Sequence, residues 1–211
     1  AGLLTHPQVM RHFHSNLAFR RVRWVQETFA CSEFPAEIGE PQDVGGENAY
    51  TSPWPFESIS GEQNGGRVDF LDTESTICAN CHGTMNHIGP LFANFDANGT
   101  WSGDIAVELP SMETAVYGDY LPESETTAWR VDAPAADLPA LGRVLAADPE
   151  IDRCSVARLW NWAFGKGDII GQKARVPEAV IAELIAEYRN DGHRMRPLLR
   201  RIFTHDDFVR F

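Results

Sequence analysis

The sequence predicts a mostly α fold with long loops, and three observations carry that expectation. Apolar residues recur at spacings of three and four over 17–30, 137–146, 149–164, 177–188 and 196–204, the pattern of amphipathic helices. Residues 32–66 hold four prolines and six glycines, too many breakers for regular structure, in a stretch unusually long for a loop. Cys78-Ala79-Asn80-Cys81-His82 is C-x-x-C-H, the spacing of c-type haem attachment. The expected fold class is therefore mostly α, with a c-type cytochrome-like haem module embedded in a larger helical domain with long loops. Residues 1–136 read as the haem-binding module and 137–211 as a C-terminal helical module packed on it, or both as one continuous domain.

The elements follow in order. Thr5-His6-Pro7 places a cap and a first-turn proline before a short helix that ends near His12. Ala18, Val22, Val25 and Phe29 share one face of a helix over 17–30. Arg20, Arg21 and Arg23 then read as a solvated face, or one of them as the partner of a haem propionate. Trp54 and Phe56 read as anchors for the long loop. Asp72, Thr73 and Ser75 are candidate caps for a helix that runs through Cys78 to about Asn86. Asn98-Gly99 marks a turn. Asp96, Asn98, Thr100 and Asp104 echo part of a calcium loop, but the twelve-position pattern with its terminal Glu is missing. Short strands are expected near Trp101–Val107, and a helical turn carrying Met112 over 111–117.

Downstream, Asp137 caps a helix with Leu138, Leu141 and Leu145 on one side, and Asp148-Pro149 opens the next. That helix is expected to turn Cys154, Trp160 and Phe164 inward and to end at Gly165. Its tryptophans read as core rather than as a redox relay. A helix from Pro177 to Tyr188 places Val180, Leu184 and Tyr188 on one stripe and stops at Asn190-Asp191-Gly192. The last helix, about 196–204, pairs Leu198 with Ile202 and Leu199 with Phe203.

The C-x-x-C-H order fits the chemistry of haem c. Two thiols add across two vinyl groups on one porphyrin edge, and the adjacent His82 falls under the iron as a nitrogen ligand. A zinc site would need two more ligands, and no second C-x-x-C exists to supply them. Cys78, Cys81 and His82 are thus the candidate cofactor-binding residues for one covalent haem, with His82 bound to iron. Gly89-Pro90 resembles the class I cytochrome c pattern, in which a proline carbonyl accepts a hydrogen bond from the proximal histidine. That resemblance implies that Pro90 orients His82; the alternative is an ordinary turn. Met112 is the candidate sixth ligand, since a downstream methionine is the class I arrangement and a Met/His pair suits electron transfer. His12 or His14 would give bis-His ligation instead, and an open site is the third choice. Met85 and His87 lie too close to His82 along the same helix to reach the opposite haem face easily.

Composition narrows the function. Hydrophobic content of 43% is a globular value, so a core can be buried. No apolar run approaches the ~20 residues of a membrane span. The formal charge of −12 argues against nucleic acid, whose phosphates recruit Lys and Arg. It favours a redox partner with a basic docking face, or simply keeps the protein soluble. Haem attachment implies a periplasmic or otherwise exported protein. The chain starts at Ala1 without a signal peptide, so it reads as a mature protein or a fragment. With two cysteines assigned to haem, Cys31 and Cys154 remain. In an oxidising compartment they are expected to form a disulfide, the alternative being two buried free thiols.

Taken together, Gly2-Leu3-Leu4-Thr5-His6, the helix ending near Cys31, Cys78–His82 with Ile88-Gly89-Pro90, and Asn94-Phe95-Asp96-Ala97 resemble the C-terminal region of planctomycete-type cytochrome-domain proteins. Cys154–Lys166 and Leu199–Phe208 are similar to that region's closing helices. The resemblance covers nearly the whole chain as two adjoining modules of unknown function. It implies a unit that associates with other subunits or domains. The expected function is electron transfer by a monohaem c-type cytochrome in a larger exported redox complex, rather than catalysis. The alternatives are a haem enzyme with an open distal site, recruiting His12, His14 or Arg20, and an interaction module stapled by haem.

Overall fold

The computed structural model describes residues 2–15, 18–32, 85, 87–103, 106–108, 114–116, 126–130, 132–169 and 175–209. These residues are mostly helical, with two small two-stranded antiparallel sheets. The long loop over 32–66, the helix expected through Cys78 and the residues Cys78, Cys81, His82 and Met112 lie almost entirely outside them. The chain divides into two compact units, residues 1–24 with 34–144, and residues 25–33 with 145–211.

In the first unit a 3-10 turn, Leu3–Thr5, leads into helix α1, Pro7–His12, with Pro7 in its first turn as the sequence requires. Helix α2, Phe19–Phe29, starts in this unit and from Val25 on belongs to the second; its Val22 and Val25 are fully buried. Strand β1, Ala106–Glu108, pairs with β2, Thr114–Val116, and β3, Ala128–Arg130, pairs with β4, Ala133–Pro134. The helical turn expected over 111–117 is thus corrected, because residues 114–116 are strand. Thr114 and Val116 are β-branched, and a partner strand outweighs a weak helical pattern of a few residues. Helix α3 is Leu138–Ala147, and Asp137 accepts from the Ala140 backbone N–H at 2.6 Å, an N-terminal cap.

The second unit is a helical layer around one core. Helix α4 spans Pro149–Ala163, and the Asp148 carboxylate accepts from the Glu150 N–H at 2.9 Å. Helix α5 is Glu178–Asn190, α6 is Met195–Phe203 and α7 is Asp206–Val209. Val156, Ala157 and Trp160 of α4 pack with Ile181, Leu184, Ile185 and Tyr188 of α5 and Leu198 and Ile202 of α6. Val180 is a correction, since it is exposed and Ile181 takes its place on the buried stripe. Phe164, expected inward, is only half-buried, while Trp162 stands in solvent at 65% exposure. Gly165 and Gly192 take φ of 61° and 68° and end α4 and α5. In each case the next N–H returns five residues, Lys166 to Asn161 and His193 to Tyr188, closing Schellman caps. Asp152, nearly buried on α4, accepts from Arg189 Nε and lies 3.0 Å from His193 Nε2, which ties α4 to the end of α5. Cys31 and Cys154 form a disulfide across 123 residues of sequence, joining the segment after α2 to α4 within this unit.

Candidate functional site

After the C-x-x-C-H motif the described residues resume at 85. Residues 85, 87 and 88 are helical and run into a 3-10 turn, Gly89–Phe92, whose second residue is Pro90. His87, Ile88, Gly89, Leu91 and Phe92 are buried, so the chain leaving the motif enters the core of its unit at once. The Pro90 carbonyl accepts from the Ala93 N–H at 3.1 Å. A carbonyl has a second lone pair, so this bond leaves room for the donor that the class I resemblance implies.

What holds this segment is Arg21. A chain that turns through 3-10 geometry leaves carbonyls without intrasegment donors. Here the Arg21 guanidinium collects them. Its Nη1 donates to Phe92 O at 3.1 Å and Phe95 O at 2.8 Å, and its Nη2 to Asp96 O at 2.9 Å. Nε and Nη2 also donate to Met10 O at 3.1 and 3.0 Å, so one side chain binds α1 to the segment after the motif. All five donors of the rigid guanidinium fork are thereby used. Arg21 is 2% exposed. This corrects both sequence readings of that residue, since it neither faces solvent nor has a donor left for a propionate. Arg20 is exposed, with Nη1 3.4 Å from His14 O.

The signal for Arg21 was present in the sequence. It falls three residues after Ala18 and four before Val25, inside the buried stripe rather than on the polar face. Treating the three arginines as one cluster hid it.

The loop after the clamp is fixed by equally local means. The Asp96 carboxylate accepts from the backbone N–H groups of Asn98 at 2.9 Å and Thr100 at 2.8 Å, and Phe95 bridges to Trp101. The Thr100 bond is the main reason the Asp96 carboxyl titrates below its ordinary range; the Asn98 bonds and the Arg21 charge add to it. This is a turn built on an aspartate; Asp104, the last residue of the calcium-like spacing, lies outside the described residues. Among the described residues no group of three His, Cys, Asp or Glu is placed to hold a metal ion. Gly99 has φ of 73°, and a Cβ there would lie 2.1 Å from Pro7 O, so α1 can approach the loop only over a glycine.

The alternative iron ligands sit on the same unit. His12 meets Phe13 edge-on at 4.6 Å, and Phe13 stacks on Trp24 at 5.2 Å. Partial desolvation, then the Arg21 charge, hold His14 below the usual imidazole range, and Asp96 opposes them. The neutral form, the one that binds metals, is therefore favoured there. Of the sequence-predicted site residues, Pro90 is placed, while Cys78, Cys81, His82 and Met112 lie outside the described residues. The donor set nevertheless fits haem c. The chain has four cysteines, and the Cys31–Cys154 bond takes two. The two thiols of the motif are therefore not consumed by that disulfide.

Residues 1–104 match the family described as "PSCyt3: Protein of unknown function (DUF1588)", a planctomycete cytochrome-associated domain of unknown function. The matched span contains the C-x-x-C-H motif, Arg21 and the segment it clamps. No curated protein and no solved structure matches the chain significantly. Among the described residues no helix is long and apolar enough to cross a membrane.

Proposed function

We propose that this chain is an exported monohaem c-type cytochrome that transfers electrons within a larger redox assembly. The observation that carries the reading is Cys78-Ala79-Asn80-Cys81-His82, whose two thiols stay outside the Cys31–Cys154 disulfide. In this reading Cys78 and Cys81 bind haem covalently, His82 is the proximal ligand, Pro90 orients it, and Met112 is the sixth ligand ahead of His12 or His14. The haem supplies a one-electron iron couple, and the protein sets its potential by axial ligand and burial.

Two further findings support the proposal. Residues 1–104 are similar to a cytochrome-associated family. A disulfide accords with an oxidising compartment. The buried clamp adds a physical rationale. Three hydrogen bonds from Arg21 fix residues 92–96 and two more tie them to Met10 of α1, the kind of outer support a metal ligand's neighbourhood uses. Optical spectra of the purified protein in both oxidation states test the ligand assignment. A far-red ferric band from sulfur-to-iron charge transfer, lost in Met112→Ala, is the expected result. Rapid carbon monoxide binding by the unaltered protein would show an open iron site and refute Met112 as ligand.

A further inference from the structure

We propose that the cleft at the start of α6 binds the phosphate group of a small organic phosphate ester or diphosphate. The cleft holds about 610 Å³ and is lined by Arg194, Met195, Arg196, Pro197, Arg200 and Arg201. That volume lies within the range of small-molecule sites. Four of these six residues are arginines, and the described lining has no acidic side chain. Leu198 and Ile202 of the same helix are fully buried in the core of the second unit. The backbone that carries the arginines is therefore packed before any ligand arrives, which lowers the entropy cost of binding.

Charge identifies the ligand class. Arg194 Nε donates to Asp191 O at 2.8 Å, and Arg201 pairs with Asp191 and, at 2.9 Å, with Glu187. Arg196 and Arg200 are exposed and form no ion pair among the described residues. They stand one turn apart on one face, a like-charge spacing that destabilises a helix. A helix start also carries partial positive charge and favours anions. Here the first turn holds no acidic residue, and the N-cap Arg194 makes no side-chain cap bond. The sequence thus concentrates positive charge where local physics disfavours it, and a bound anion offsets that cost. Two uncompensated guanidiniums match the charge of a phosphate monoester, about −1.5 to −2 near neutral pH, better than the single charge of a carboxylate. Their planar forks donate paired hydrogen bonds to phosphate oxygens. Met195, 47% exposed, and Pro197 give the organic part of the ligand an apolar wall. The surrounding sequence admits an anion here. Residues 145–211 hold 11 Lys and Arg against 10 Asp and Glu, whereas residues 1–144 hold 7 against 20.

Isothermal titration calorimetry of the full oxidised chain with inorganic pyrophosphate tests this, whether or not haem is bound, so it stands apart from the proposed function. The expected result is one saturable site that weakens as salt is raised, with a higher urea midpoint in the presence of pyrophosphate. Arg196→Gln with Arg200→Gln is expected to weaken binding by about tenfold or more, while the urea midpoint without pyrophosphate stays the same or rises. Arg153→Gln removes a cation of α4 that pairs with Glu150 and is expected to leave binding unchanged. Vesicles containing phosphatidic acid separate the sources of the phosphate. Retention on them that pyrophosphate displaces and the double variant loses identifies a lipid headgroup; pyrophosphate binding without retention identifies a soluble ester. Absence of saturable pyrophosphate binding, binding that survives Arg196→Gln with Arg200→Gln, or equal weakening by Arg153→Gln overturns the proposal.

Discussion

Replacing Arg21 with Met keeps the length and apolar stem of the side chain and removes the guanidinium. Four main-chain carbonyls, Met10, Phe92, Phe95 and Asp96, then lose a donor. Hydrogen bonds to a charged group contribute about 1.5–3 kcal/mol each. Against five of these stands the desolvation of one cation, several kcal/mol. Counting about 1 kcal/mol net for each orphaned carbonyl, and some relief from water, gives a loss of about 3–5 kcal/mol. That is a large share of the ~5–15 kcal/mol typical of a domain. Arg21→Lys is expected to fall between, at about 2 kcal/mol, because three donors on a point cannot span carbonyls spread over two segments. Arg20→Met, on an exposed neighbour, should stay within about 0.5 kcal/mol. Urea unfolding followed by near-ultraviolet circular dichroism, which reports on buried aromatics, gives the values. A loss below about 1 kcal/mol for Arg21→Met, or one equal to that of Arg20→Met, would refute the clamp.

Gly99→Ala should destabilise by about 2–4 kcal/mol, since its Cβ would strike Pro7 O at 2.1 Å on a left-handed backbone; unchanged thermal unfolding would contradict the close approach. Cys31→Ala with Cys154→Ala should cost about 4–5 kcal/mol by the chain-entropy relation for a separation of 123 residues, as read by urea unfolding of the double variant against the oxidised parent. Asp191 titrates below its ordinary range chiefly through its hydrogen bond from Arg201, with the charges of Arg201 and Arg194 adding to it. Its contribution to stability is therefore complete above the unfolded carboxyl pKa of about 3.9 and is lost as pH falls through the lower folded value. Arg201→Gln should lower stability at neutral pH and converge with the parent in acid; a constant difference across the acid range would refute the linkage.

The helices of the second unit were legible because their signals are local. Asp148-Pro149, Gly165 and Gly192 act within one turn of the residues they cap, and the Leu198/Ile202 row needs only a period of 3.6. The disulfide was legible by elimination, once the motif had claimed the other two thiols. What was not legible depends on partners distant in sequence. Arg21 reaches Phe92, Phe95 and Asp96 across more than seventy residues, and nothing near position 21 announces those carbonyls. Residues 114–116 become strand through their pairing with 106–108. Val180 and Ile181 are adjacent β-branched residues, and their order on the buried stripe of α5 is set by where α4 and α6 lie. Pro90 was readable as a turn and is one, while its role toward His82 turns on an imidazole outside the described residues.

The central claim is covalent haem on Cys78 and Cys81. Its most direct measurement is the intact mass of the unfolded protein, produced in cells that export it and attach haem c. The account predicts the polypeptide mass plus one haem, retained through acid and organic solvent and lost in Cys78→Ser with Cys81→Ser. A protein of bare polypeptide mass under those conditions, or one that keeps its haem in the double variant, would contradict it.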